Sequence, residues 1–209
     1  MNILDQDKRP IIFDDNVRPF MLEFLARRVN VQLQNLKKLN SNAFMFIDEP
    51  GLQFVFSGMS GYSDLAAKRD LETFLSQVGR PVGIHLWGNP DRDFLLNLEI
   101  NVLSLDTYSN GEIFTSYTAS IRAFLDRGGI PTNIEPFEKE TIASIESRLK
   151  SLWEKLTKSG IDRDLLLSQS MLSPATCCLV NSDRERTVEK AFALTKKLSA
   201  KFRAEYSLN

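Results

Sequence analysis

The stretch PVGIHLWGNPDRDFLLNLEINVLSLD, from Pro81 to Asp106, decides the fold. Pro81 to Trp87 is a short apolar run rich in β-branched and aromatic residues, closed by Gly88-Asn89-Pro90, and reads as a strand and its turn. Arg92 to Leu98 reads as a short helix. Val102 to Leu105 is a second apolar run, and it ends on Asp106. Strand, helix and strand within one short segment imply a crossover between parallel strands.

Outward from this unit the alternation continues. On the N-terminal side, Ala43 to Ile47 is an apolar run ending in Asp48-Glu49-Pro50. A helix follows it, with Leu71, Phe74, Leu75 and Val78 on one face. On the C-terminal side, one helix is expected to carry Ile113, Tyr117, Ile121, Phe124 and Leu125. Gly128-Gly129 leads into a weak strand around Ile130, interrupted by Pro131 and Pro136. A long helix shows Ile142, Ile145, Leu149, Leu152, Trp153 and Leu156 in register. Leu165 to Leu172 is expected to be the fifth strand, and Val188, Phe192, Thr195, Leu198 and Phe202 mark a last helix. At the front of the chain a loosely held arm over residues 1–15 precedes a helix that starts after Asp14 and Asp15. That helix carries Val17, Phe20, Met21, Phe24 and Leu25.

The expected fold is therefore α/β, a parallel (β/α) barrel-like domain over residues 16–209 with about five βα units and an N-terminal helix. A closed barrel of this kind has eight strands and about 250 residues. Five strands leave a sheet with free edges, which a second copy, a partner chain or the leading helix would cover. No Gly-rich phosphate loop follows any strand, which disfavours a nucleotide-binding doubly wound fold.

The chain has 209 residues, 26 Lys and Arg against 27 Asp and Glu, and a net charge of −1. That balance offers no basic stripe for nucleic acid. No apolar run is long enough to span a bilayer, and MNILDQDKRP is no signal peptide, so the expectation is a cytoplasmic protein without a membrane partner. The two cysteines, Cys177 and Cys178, are adjacent and imply no disulfide framework.

Polar residues gather where strands end, which is where parallel α/β barrels build their sites. His85 is the only histidine. It reads as a satisfied structural residue, a neutral imidazole ligand or a general base. Asp106 reads as a helix N-cap or as a ligand. Asp48 and Glu49 end the first strand. Imidazole, carboxylate and thiolate from three strand ends form a donor set suited to a catalytic zinc ion with one open position. No Cys-x-x-Cys or His-Glu-x-x-His spacing and no G-x-S-x-G elbow accompanies them.

Four of these segments carry a family likeness. Phe46-Ile47-Asp48-Glu49-Pro50-Gly51-Leu52 resembles the "DEPAL" strand end of cobalamin-independent methionine synthase. Ile84-His85-Leu86-Trp87-Gly88-Asn89 resembles the "H-x-C-G-N" turn of the wider uroporphyrinogen decarboxylase-like superfamily. Val102-Leu103-Ser104-Leu105-Asp106-Thr107 resembles "V-I-S-I-E-T", and Pro174-Ala175-Thr176-Cys177-Cys178-Leu179 resembles "P-x-C-G-L". The likeness runs from about Phe13 to the C-terminal helix and lacks the family's N-terminal strands.

That resemblance implies zinc held by His85, Asp106 and Cys177, with Cys178 as the alternative, and a substrate held by Asp48 and Glu49. It implies methyl transfer to a small thiol such as homocysteine, from a methylated folate or a methyl-corrinoid. The departures are specific. Trp87 stands where a zinc cysteine is expected, Asp106 is one methylene shorter than the usual Glu, and the last motif has one residue more. They leave a second expectation open: a non-catalytic relative, acting as a binding module or as a subunit completed by another chain. Decarboxylation of a tetrapyrrole acid ranks last, because no Arg-rich loop lies near the strand ends.

Overall fold

Four short polar side chains decide where helices begin. Asp91, Asp106, Thr141 and Asp162 accept hydrogen bonds from the backbone N–H of Phe94, Ser109, Ser144 and Leu165. Each satisfies a donor that a helix start leaves without a partner.

A computed structural model describes residues 3–49, 51–55, 61–86, 90–137, 140–175 and 181–208. Its elements, in chain order, are α1 (Val17–Leu39), β1 (Met45–Asp48), α2 (Leu52–Val55), α3 (Asp64–Gln77), β2 (Val82–His85), α4 (Arg92–Asn97), β3 (Val102–Asp106), α5 (Thr107–Phe114), α6 (Thr118–Asp126), β4 (Ile130–Glu135), α7 (Ile142–Lys158), α8 (Arg163–Gln169), β5 (Met171–Pro174) and α9 (Glu185–Tyr206). The five strands are parallel and lie in one sheet in the order β1-β2-β3-β4-β5. An order that follows the chain without reversal is that of a (β/α) barrel; a doubly wound sheet reverses at its switch point. The architecture is α/β, of partial (β/α)-barrel type with an N-terminal helix. No helix among the described residues is long and apolar enough to cross a membrane.

The chain divides into two compact units, Met1–Val102 and Leu103–Asn209. In the first, β1 and β2 pair from Met45↔Val82 to Asp48↔His85. Helix α1 packs on α3, and Asn30 ties them by donating to the carbonyl of Gln77 (2.8 Å) and accepting from the N–H of Gly79 (2.6 Å). The helix starts after Asp14 and Asp15 as expected, but the N-cap position is Asn16, which makes no side-chain cap bond; Asp14 accepts from the N–H of Asn16 and Val17 just ahead of it. The arm before it makes one 3-10 turn, Ile11–Phe13, held by Arg18 donating to the carbonyl of Ile12 (2.9 Å).

In the second unit, β4 and β5 pair from Thr132↔Met171 to Glu135↔Pro174. The apolar face of α7 is covered beyond its first turn: Ile145, Leu149, Leu152, Trp153 and Leu156 are all buried, and Ile142 is half-buried. Trp153 meets the edge of Phe202 on α9, with ring centroids 4.9 Å apart.

Three expectations need correction. The residues from Leu165 to Gln169 are the body of α8, and only Met171–Pro174 forms β5. A short apolar run has no period of its own, and here the Asp162 cap and the acidic Asp164 in the first turn favour helix. The helix expected across Ile113 to Leu125 is two helices. At Thr115 and Ser116 both hydroxyls bond back to carbonyls of the preceding turn, and the chain turns at Tyr117. Finally, β4 is a six-residue strand despite Pro131. Its pairing with β5 begins at Thr132, one residue beyond the proline.

Candidate functional site

Two of the residues singled out in the sequence stand side by side. Asp48 closes β1 and His85 closes β2, and the register makes them direct partners. The N–H of Glu49 donates to the carbonyl of His85 (3.3 Å), extending the pairing past the strand ends. His85 is half-buried, and the Phe46 ring meets its imidazole edge-on at 6.3 Å. Gly83 makes room for that ring: a Cβ there would lie 2.8 Å from Phe46 and 2.8 Å from the carbonyl oxygen of Val102. Glu49 folds back to accept from the N–H of Gly51 (3.1 Å). Asp48 is exposed.

Asp48 and Glu49 also line a cavity of about 720 Å³. Its walls are β1, the Leu22, Leu25 and Val29 face of α1, and Leu71 and Phe74 of α3. At one side stand Tyr62 and Asp70. Asp70 is the hub of a small polar cluster. Buried Arg18 contacts it through Nε at 2.8 Å and reaches Asp15 through Nη2 at 2.5 Å. The Tyr62 hydroxyl donates to Asp70 Oδ2, and the guanidinium lies over the phenol ring. Burial, and then the hydrogen bond and charge of Asp70, push the Tyr62 phenol up to about 12, against the pull of Arg18. None of Arg18, Tyr62 and Asp70 was singled out in the sequence, because no local spacing links them.

The second unit holds its own group at the ends of β3 and β4. Asp106 uses Oδ1 to accept the N–H of Ser109 (3.0 Å) and so caps α5. Glu135, at the end of β4, is wholly buried. It accepts from the Thr107 hydroxyl (2.8 Å) and forms an ion pair with Arg148 of α7. Arg148 lies over the Tyr108 ring at 4.5 Å, and the Tyr108 hydroxyl donates to Glu140 (3.2 Å). Burial raises the Glu135 carboxyl above its ordinary range; Arg148 and Thr107 oppose this, while the nearby Asp106 charge adds to it. Glu135 is not among the expected site residues, because Pro131 and Pro136 make its strand look interrupted in the sequence. The signal was present: Ile134-Glu135-Pro136 repeats the carboxylate-then-proline ending of Ile47-Asp48-Glu49-Pro50.

The expected zinc donors fit a metal only in part. The His85 imidazole stands at a strand end as such a ligand requires. Asp106 belongs to the second unit and has one oxygen engaged by the α5 cap. Cys177 and Cys178, like Trp87, lie outside the described residues. Among the described residues, no three His, Cys, Asp or Glu side chains stand together as a metal site. No family model, no curated protein and no solved structure matches the chain.

Proposed function

We propose that the chain is a zinc-dependent S-methyltransferase-like protein of the methionine synthase type, acting on a small thiol such as homocysteine. One observation supports this reading above the others. Successive parallel strands end on chemistry-bearing side chains, Asp48 on β1, His85 on β2 and Asp106 on β3. Strand carboxyl ends are where barrels of this class place substrate and metal. In this reading His85, Asp106 and Cys177, or Cys178 in its place, hold the metal. Asp48 and Glu49 hold the amine of the substrate, and the donor is a methylated folate or a methyl-corrinoid. Bound zinc would supply Lewis acidity that favours the thiolate of the substrate. The protein's own part is to orient: the Phe46 ring limits the imidazole, and exposed Asp48 offers a charge to an ammonium group. A cytoplasmic setting goes with this chemistry.

A second reading has an observation of its own. Asp106 already serves α5 as a cap, and Trp87 replaces an expected ligand, which suits a binding module or a subunit without catalysis. Metal analysis of the purified chain separates the two. The methyl-transfer reading expects about one zinc per chain, lost in His85→Ala. A chain that carries no zinc after reconstitution, and whose folding ignores chelator, would end that reading in favour of the module.

A further inference from the structure

We infer that the cavity beside β1 binds a cationic amphiphile, a molecule with an apolar body and one positive charge. Its volume of about 720 Å³ falls within the range of about 300–1,000 Å³ typical of small-molecule sites. The walls are largely apolar, aliphatic and aromatic together, and Leu22, Leu25, Val29 and Leu71 are only half-buried. An apolar body laid against them gains the burial that the fold itself leaves unused.

Charge selects the head group. The described lining contains three carboxylates, Asp48, Glu49 and Asp70, and no Lys, Arg or His. Asp70 is neutralised by Arg18 from behind. Glu49 gives one oxygen to the N–H of Gly51. Asp48 remains exposed at the end of β1. A carboxylate or phosphate ligand would meet the like charge of Asp48 and Glu49 at that end, whereas an ammonium group meets an opposite one. This inference shares the placement of Asp48 with the methyl-transfer reading and needs no metal. Zinc content therefore reports on that reading, and ligand titration reports on this one.

The test titrates the full chain with octylammonium and with octanoate, following calorimetry and backbone amide shifts. Octylammonium should bind and shift amides on α1, α3 and β1, with octanoate at least about fivefold weaker. Asp48→Asn, an exposed change, should weaken octylammonium by about fivefold, as expected for one partly screened ion pair. Leu25→Trp should fill the cavity and abolish binding, with circular dichroism confirming the fold. Equal affinity for the two probes overturns the inference, as does octylammonium binding that ignores both variants. Absence of binding together with concentration-dependent dimerisation also overturns it, and assigns the cavity to a second copy of the chain.

Discussion

Helices α1 and α7 carry apolar residues at the same spacing, yet only α7 has them covered. On α7 the whole stripe from Ile145 to Leu156 is at most 6% exposed. On α1 the buried positions are Arg18, Ala26 and Leu33, while Phe20 is 74% exposed and Val31 57%. Helical periodicity states which face is apolar; it does not state whether anything comes to meet that face. The second unit closes its core with its own α7, α9, β4 and β5. The first unit buries Leu75, Val82, Ile84, Leu95 and Leu96 in a core of its own, but keeps apolar surface open beside β1, where an edge strand and two helices line a cavity.

Four experiments bear on this contrast. The largest effect is expected from Arg148→Met, which leaves the buried Glu135 carboxylate without its cation. A loss of about 3–5 kcal/mol in urea unfolding is expected, and a change under about 1 kcal/mol would show that the pair carries little of the closed unit. Next comes a matched pair. Leu149→Ala, in the filled core, should cost about 2–5 kcal/mol, whereas Leu25→Ala, on the cavity wall, should cost under about 1 kcal/mol. Equal costs would erase the distinction between the two units. Asp106→Ala removes a helix cap and should cost about 1 kcal/mol. A full rescue by Asn, which caps equally well, fits a cap; metal loss in a still-stable Asn variant would favour a ligand.

The last experiment is a titration, whose effect is confined to alkaline pH. The Tyr62 phenol is raised from 10.0 to about 12, so the folded chain keeps a proton that the unfolded chain releases. Stability should be unaffected below pH 10 and should fall as pH rises from 10 towards 12. Tyr62→Phe should flatten that fall, and an unchanged alkaline profile would remove Tyr62 from the cluster at the cavity.

Much of the architecture was readable because it depends on local signals. The runs before Asp48, His85 and Asp106 are strands as expected, and the cap at Asp106 is one of the roles that residue offers in the sequence. The errors fall where local signals conflict. The run at 165–169 suits helix or strand equally, and the cap at Asp162 tips it. Pro131 looks like a strand breaker, yet it stands ahead of the residues that pair with β5 and costs that ladder nothing. The site was readable only in part. Placing Asp48 and His85 at strand ends needed no more than strand boundaries. Glu135 with Arg148, and Asp70 with Arg18, meet through tertiary packing across elements far apart in the chain. No period or spacing encodes such a meeting.

Gly83 has a reach beyond its own position. The Phe46 ring can cross β2 because nothing projects from that residue, and the same ring is what the His85 imidazole leans on. Adding one methyl group at 83 would press on the aromatic side chain and on the backbone carbonyl of Val102 at once. The bare spot therefore ties the setting of the histidine to the spacing of the strands, and neither can be altered there alone.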